Sequence, residues 1–161
     1  MLKSNRRTAA KKAHSRFAIV ASRYNAKYVE GMLRAAKRVL LAAGAEVVTV
    51  VRVPGAFEVP VVAARLAGAR QPAYGAILCF GVILRGETSH ADHIGEAVSH
   101  ALAQIQVGHG IPIIHEVLLF TNEAQARVRC LGVKHNRGIE AAQTALAMAE
   151  VMAELPAATA R

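Results

Sequence analysis

The sequence predicts a three-layer α/β domain, a four-stranded parallel sheet with helices packed on both faces. Two observations carry this. Four short runs rich in valine, isoleucine and leucine are almost continuously apolar, the pattern of strands covered on both faces rather than half-exposed ones. Longer stretches between them place apolar residues at helical spacing, so strand and helix alternate and right-handed crossovers join parallel strands. At 161 residues and 53% hydrophobic, the chain has the length of one domain and can bury a core without staples.

The first strand is expected over Phe17 to Ala21, the second over Glu46 to Val53, the third over Ala76 to Phe80, and the fourth over Pro112 to Leu119. Val29, Met32, Leu33, Ala36, Leu40 and Ala43 share one face of the first helix, with Gly44 where a C-terminal cap belongs. Another helix begins near Glu58. Ile94, Ala97, Val98, Ala101, Leu102 and Ile105 repeat the helical spacing, and a short helix runs from about Asn122 to Cys130. Ile139, Ala142, Leu146, Ala149 and Ala153 form the last stripe, which stops before Pro156. Residues 1–16 read as a basic, mobile tail, 17–156 as the single domain, and 157–161 as a short C-terminal tail.

Composition narrows the function. Six of the 20 Lys and Arg (Lys3, Arg6, Arg7, Lys11, Lys12 and Arg16) lie in a segment without acid, so most of the net charge of +9 belongs to that tail. With no aromatic platform beside them, these residues predict at most non-specific nucleic-acid contacts. No apolar run approaches the roughly 18 residues of a membrane span. The first residues hold no long apolar stretch, which predicts no secretory signal. Two cysteines, Cys79 and Cys130, without a CxxC pair, fit a reducing cytoplasm.

Ligands of such sheets bind beyond the carboxyl ends of the strands. That rule selects the loops at 22–25, 54–58 and 81–90, and the segment that begins at His115. In the third loop, Gly81 permits a turn and Thr88 or Ser89 caps the next helix. The free amides of that helix start make a phosphate seat. His90, in the first turn, can take and give protons near neutral pH. Equally, this is an ordinary capped helix start with a surface histidine. His90 and His93 share a helix face, but no third ligand stands at suitable spacing, so no metal is expected. Tyr24 offers a ring for stacking. Backbone around Ala56 and Phe57 could read a flat heterocycle, with Glu58 as acceptor, unless Phe57 is core and Glu58 only complements a helix dipole. Arg129 could hold a phosphate bidentately or be merely solvated.

Four runs, in order and spacing, carry a family resemblance: Arg23-Tyr24-Asn25, VPGAFEVP at 53–60, GVILRGETSHADHI at 81–94, and Asn136-Arg137-Gly138 before Glu140-Ala141-Ala142. They resemble the 6,7-dimethyl-8-ribityllumazine synthases over about residues 17–154. The resemblance implies a flavodoxin-like subunit, and pentamers with active sites between neighbours. It implies a cytoplasmic transferase of riboflavin biosynthesis, without metal or organic cofactor, that can associate with riboflavin synthase. Its substrates would be 5-amino-6-ribitylaminouracil and 3,4-dihydroxy-2-butanone 4-phosphate. By position, Tyr24, Ala56, Phe57, Glu58, Val82, Ile83 and Leu84 would bind the pyrimidine and ribityl chain. Glu87, Thr88 and Arg129 would bind phosphate, and His90 would transfer protons. His115 stands where the family has a phenylalanine given to the neighbour's site, and Ala91 and His93 replace its usual aromatics. A flavin- or lumazine-binding paralogue without turnover, and a shell protein with an anion-binding tail, are rival readings. The 131–137 loop shows no insertion, which leans towards a closed shell of pentamers.

Overall fold

A computed structural model describes residues 16–70 and 73–156. In chain order the elements are β1 (Arg16–Ser22), α1 (Ala26–Ala42), β2 (Val47–Val53), a 3-10 turn (Ala56–Glu58), α2 (Val59–Ala67), β3 (Ala76–Leu84), α3 (His90–His109), β4 (Ile113–Phe120), α4 (Glu123–Leu131) and α5 (Arg137–Glu154). The four strands form one sheet in the order β2-β1-β3-β4, and every pairing is parallel. Residues 1–15 and 157–161 of the expected tails lie outside the described residues. Arg16 belongs not to the tail but to β1, where it pairs with Val47.

The continuous apolar runs are explained by helices on both sides. Phe17, Ile19 and Ala21 of β1, with Leu78 and Phe80 of β3, pack under α1, α4 and α5. The intervening Ala18, Val20, Ile77 and Cys79 pack under α2 and α3. α1 stops where its sequence says it should: Gly44 takes φ 91°, a conformation that costs glycine little.

Two expectations need correction. β3 does not end at Phe80 but runs to Leu84, so Gly81 makes no turn. A Cβ there would stand 3.1 Å from Val117 Cγ1 and 3.4 Å from the Ala56 Cβ. The glycine serves close packing instead. On α5 the buried residues are Gly138, Ala141, Ala142, Ala145 and Ala149, while Ile139 and Leu146 are only half-buried and Ala153 is exposed. A Cβ on Gly138 would lie 2.1 Å from the Met32 carbonyl oxygen, so the α1–α5 contact is too close for the larger side chains that a size-blind apolar pattern favours.

After β1 the chain moves outward to β2, and it then returns to β3 on the other side. This reversal leaves a crevice above the carboxyl ends of β1 and β3, the place where such sheets take ligands.

Candidate active site

The crevice is built mainly by backbone bonds. Beyond the strand ends the Arg23 N–H donates to Val53 O (2.8 Å) and the Tyr24 N–H to Pro54 O (3.0 Å), which sets Tyr24 beside the loop after β2. Asn25 sits in the left-handed region at φ 54°, and its Nδ2 donates to Val82 O at 2.8 Å. That bond ties the β1–α1 turn to the end of β3. Across the crevice the Gly55 N–H donates to Glu58 Oε2 at 2.9 Å, which orients the carboxylate at the start of α2.

These elements enclose a cavity of about 470 Å³, within the usual range for small-molecule sites. Tyr24, Asn25, Gly55, Ala56, Phe57 and Glu58 line it together with Val82, Ile83 and Leu84 of β3 and with Gly86, Thr88 and His90. Tyr24 and Phe57 are 73% and 61% exposed, so Phe57 is not core. Two rings left in water at a cavity mouth are placed to cover a flat ligand.

At the start of α3, Ser89 rather than Thr88 takes the N-cap position, and its hydroxyl caps no amide. It faces His93 Nε2 at 3.3 Å, while the His90 N–H reaches Thr88 Oγ1 at 3.4 Å. Apart from that long Thr88 contact no side chain caps this 20-residue helix, and among the described residues the Ala91 and Asp92 amides remain open to an anion. Arg85 is paired with Asp92 of that same turn, and its N–H donates to Phe120 O at 2.9 Å, which braces the loop carrying Gly86, Glu87 and Thr88. Among the described residues, no group of three or more His, Cys, Asp or Glu could hold a metal ion.

The structure thus brings Tyr24, Ala56, Phe57, Glu58, Val82, Ile83, Leu84, Thr88 and His90 to one cavity. Glu87 lies in the same loop but outside its wall. His115 and Arg129 do not join it. His115 is not in a loop beyond β4 but is the third residue of that strand, opposite Cys79. Its Nε2 is 2.8 Å from Ser99 Oγ, and its Nδ1 accepts from the Val117 N–H at 3.1 Å. The Ser99 hydroxyl hydrogen goes to Gly95 O at 2.7 Å, so Nε2 must be the protonated nitrogen of a neutral ring. Burial pushes the His115 pKa down, which keeps the ring neutral. Arg129 lies half-buried in the last turn of α4.

Asn25 is a cavity residue that residue-by-residue reading of the sequence left without a role. Its signal was an asparagine between a strand and a helix, where the left-handed conformation is tolerated. A second missed feature is the ion pair of buried Glu116 with Arg137, whose guanidinium donates from Nε and Nη2 at 2.9 Å each.

Known proteins resemble this chain over most of its length. The family model for 6,7-dimethyl-8-ribityllumazine synthase matches residues 14–153. The chain belongs to that family. It is 45% identical over 133 residues to the 6,7-dimethyl-8-ribityllumazine synthase of Kineococcus radiotolerans, covering 81% of each chain. To the Stenotrophomonas maltophilia protein of the same name it is 40% identical over 144 residues, 88% of this chain and 92% of that one. A Xylella fastidiosa relative, again of that name, is 37% identical over 146 residues, 89% of this chain and 94% of that one. No helix among the described residues is long and apolar enough to cross a membrane.

Proposed function

We propose that this protein condenses 5-amino-6-ribitylaminouracil with 3,4-dihydroxy-2-butanone 4-phosphate to give 6,7-dimethyl-8-ribityllumazine, the penultimate step of riboflavin biosynthesis. The amine attacks the ketone and water leaves to form an imine. Phosphate departs by elimination, and ring closure expels water again. The observation that carries this reading is the meeting, in a family member, of stacking rings, an acceptor carboxylate, an open helix N-terminus and an imidazole at one crevice.

In this reading the pyrimidine lies between Tyr24 and the β3 end, against Ala56, Val82, Ile83 and Leu84, with Phe57 and Glu58 reaching the ribityl chain. The phosphate sits on Thr88 and the amides around Glu87, and His90 passes protons. Holding two reactive partners in register supplies much of the acceleration, with proton transfer adding to it.

The phosphate needs more positive charge than this cavity has. Its walls contain no lysine or arginine, and Arg85 is already matched by Asp92. A helix N-terminus offers about half a charge against a phosphate of nearly two. Arg129, outside the chain's own cavity, is therefore assigned to a neighbour's, and His115, also outside it, is assigned there by the resemblance alone. This supports pentamers with shared sites. A cytoplasmic location and association with riboflavin synthase belong to the same reading.

The test is incubation of purified protein with both substrates, measuring lumazine fluorescence and phosphate release together. Equimolar appearance of the two is expected. Tight binding of lumazine without turnover would instead identify a binding paralogue.

A further inference from the structure

The corner between α4 and α5 holds a charge cluster to which the proposed reaction gives no role. Glu116 on β4 is 4% exposed, and Arg137 grips both of its oxygens at 2.9 Å. Arg137 also pairs with Glu140. Burial raises the Glu116 pKa, and the guanidinium offsets that only in part. A carboxylate so placed is costly unless its partner stays in register.

The corner is pinned at other points as well. Asn136 Nδ2 donates to Cys130 O at 2.8 Å, while its Oδ1 accepts from the Gly138 N–H at 2.8 Å. A Cβ on Gly31 would lie 2.4 Å from the Cys130 oxygen, and one on Gly138 2.1 Å from the Met32 oxygen, so α1 backbone rests on both ends of the corner. Arg129 immediately precedes Cys130 and makes no ion pair among the described residues. One arginine of the corner is neutralised twice over; the other is left uncommitted.

We infer that Glu116 is a positioning residue for Arg129, fixing the α4–α5 corner through Arg137 so that Arg129 alone is presented to the phosphate of the ketose substrate. This rests on the proposal that Arg129 binds that phosphate. The sign of the effect makes the inference testable. Removing a buried negative charge close to Arg129 should, by Coulomb attraction alone, tighten phosphate binding. Loss of positioning should weaken it.

Glu116→Gln keeps the side-chain volume, but its amide has one acceptor oxygen and turns N–H groups towards the guanidinium, so the two-point grip opens. Steady-state kinetics of this variant should show the KM for the ketose phosphate raised about fivefold, with kcat and the KM for the uracil within about twofold. In an Arg129→Ala background the same substitution should add nothing. An unchanged or lowered KM overturns the inference, and so does an equal rise in both backgrounds. If Arg129→Ala alone leaves the ketose phosphate KM unchanged, the assignment of Arg129 itself falls and this inference with it. Should Glu116→Gln not fold, Arg137→Lys keeps the charge and loses the fork. A rise of about two- to threefold is then expected, and no rise overturns the inference.

Discussion

Gly138→Ala is the sharpest test of how α5 is seated. The added Cβ would stand 2.1 Å from the Met32 carbonyl oxygen and 2.7 Å from its carbonyl carbon. About 1 Å of separation would have to open in an interior with little slack. Neither side can give cheaply. Met32 lies in the middle of α1 and is fully buried, and the neighbouring glycine of that helix, Gly31, is held as closely against Cys130. Overpacking of this kind costs about 1–3 kcal/mol or more, while alanine's helix propensity returns at most about 1 kcal/mol. A net loss of about 2 kcal/mol corresponds to a Tm lowered by about 4–8 °C for a domain of this size. Gly95→Ala is the control, because nothing stands within 4 Å of a Cβ there in α3. It should raise Tm by about 1–3 °C. Thermal melts at fixed protein concentration compare the two. A Gly138→Ala protein as stable as the Gly95→Ala one would refute the close α1–α5 approach.

Three further outcomes are expected. His90→Ala should lower kcat by about tenfold to a hundredfold without abolishing it, the low end for acid–base assistance, because the partners are inherently reactive. Wild-type turnover across pH 6 to 8 would return His90 to an ordinary surface histidine. Co-refolding His90→Ala with Arg129→Ala subunits should give more activity than the mean of the two alone, since about a quarter of shared sites in a mixed ring would be intact; activity equal to that mean would sink the shared site. Because the folded protein resists protonating His115, the unfolded chain takes up the extra proton as pH falls through about 6.5. The Tm of the wild type should therefore fall relative to His115→Gln between pH 7.5 and about 5.5, and parallel curves would contradict the neutral assignment.

The parallel order of strands and helices was legible because burial on both faces leaves continuous apolar runs, and those runs stand plainly at 17–21 and 76–80. The cavity was legible for a related reason: with the strand ends located, Tyr24, Glu58 and His90 had to lie on the same rim. What escaped was set by atoms of other elements. Nothing local says that β3 continues through Gly81, because the missing Cβ answers to Val117 and Ala56 on neighbouring elements. The α5 stripe was displaced towards Ala141 and Ala145 by the backbone of α1, which hydrophobic periodicity does not register. The Glu116–Arg137 pair spans 21 residues, and no spacing rule connects a carboxylate inside a strand to the start of a later helix.

His115 shows how far a departure from family pattern can be understood once its bonds are known. By the resemblance its place belongs to phenylalanine, and a free imidazole there would bring charge or proton chemistry to a neighbour's substrate. Both of its nitrogens are already engaged, however. Nε2–H donates to Ser99, and Nδ1 accepts from the Val117 amide. Protonation would set an N–H against the Val117 N–H, so burial and geometry oppose the cation together. The ring has only its carbon surface left to offer, much as phenylalanine would. The difference lies in the edge strand. Val117 and Ile113 of β4 send their amides to His115 and to Gln106 Oε1, side-chain acceptors that take up N–H groups with no further strand among the described residues to pair with. Phenylalanine could not accept the Val117 bond. The histidine therefore keeps a flat carbon surface while satisfying an amide of the sheet edge, and under the proposed function proton transfer is left to His90.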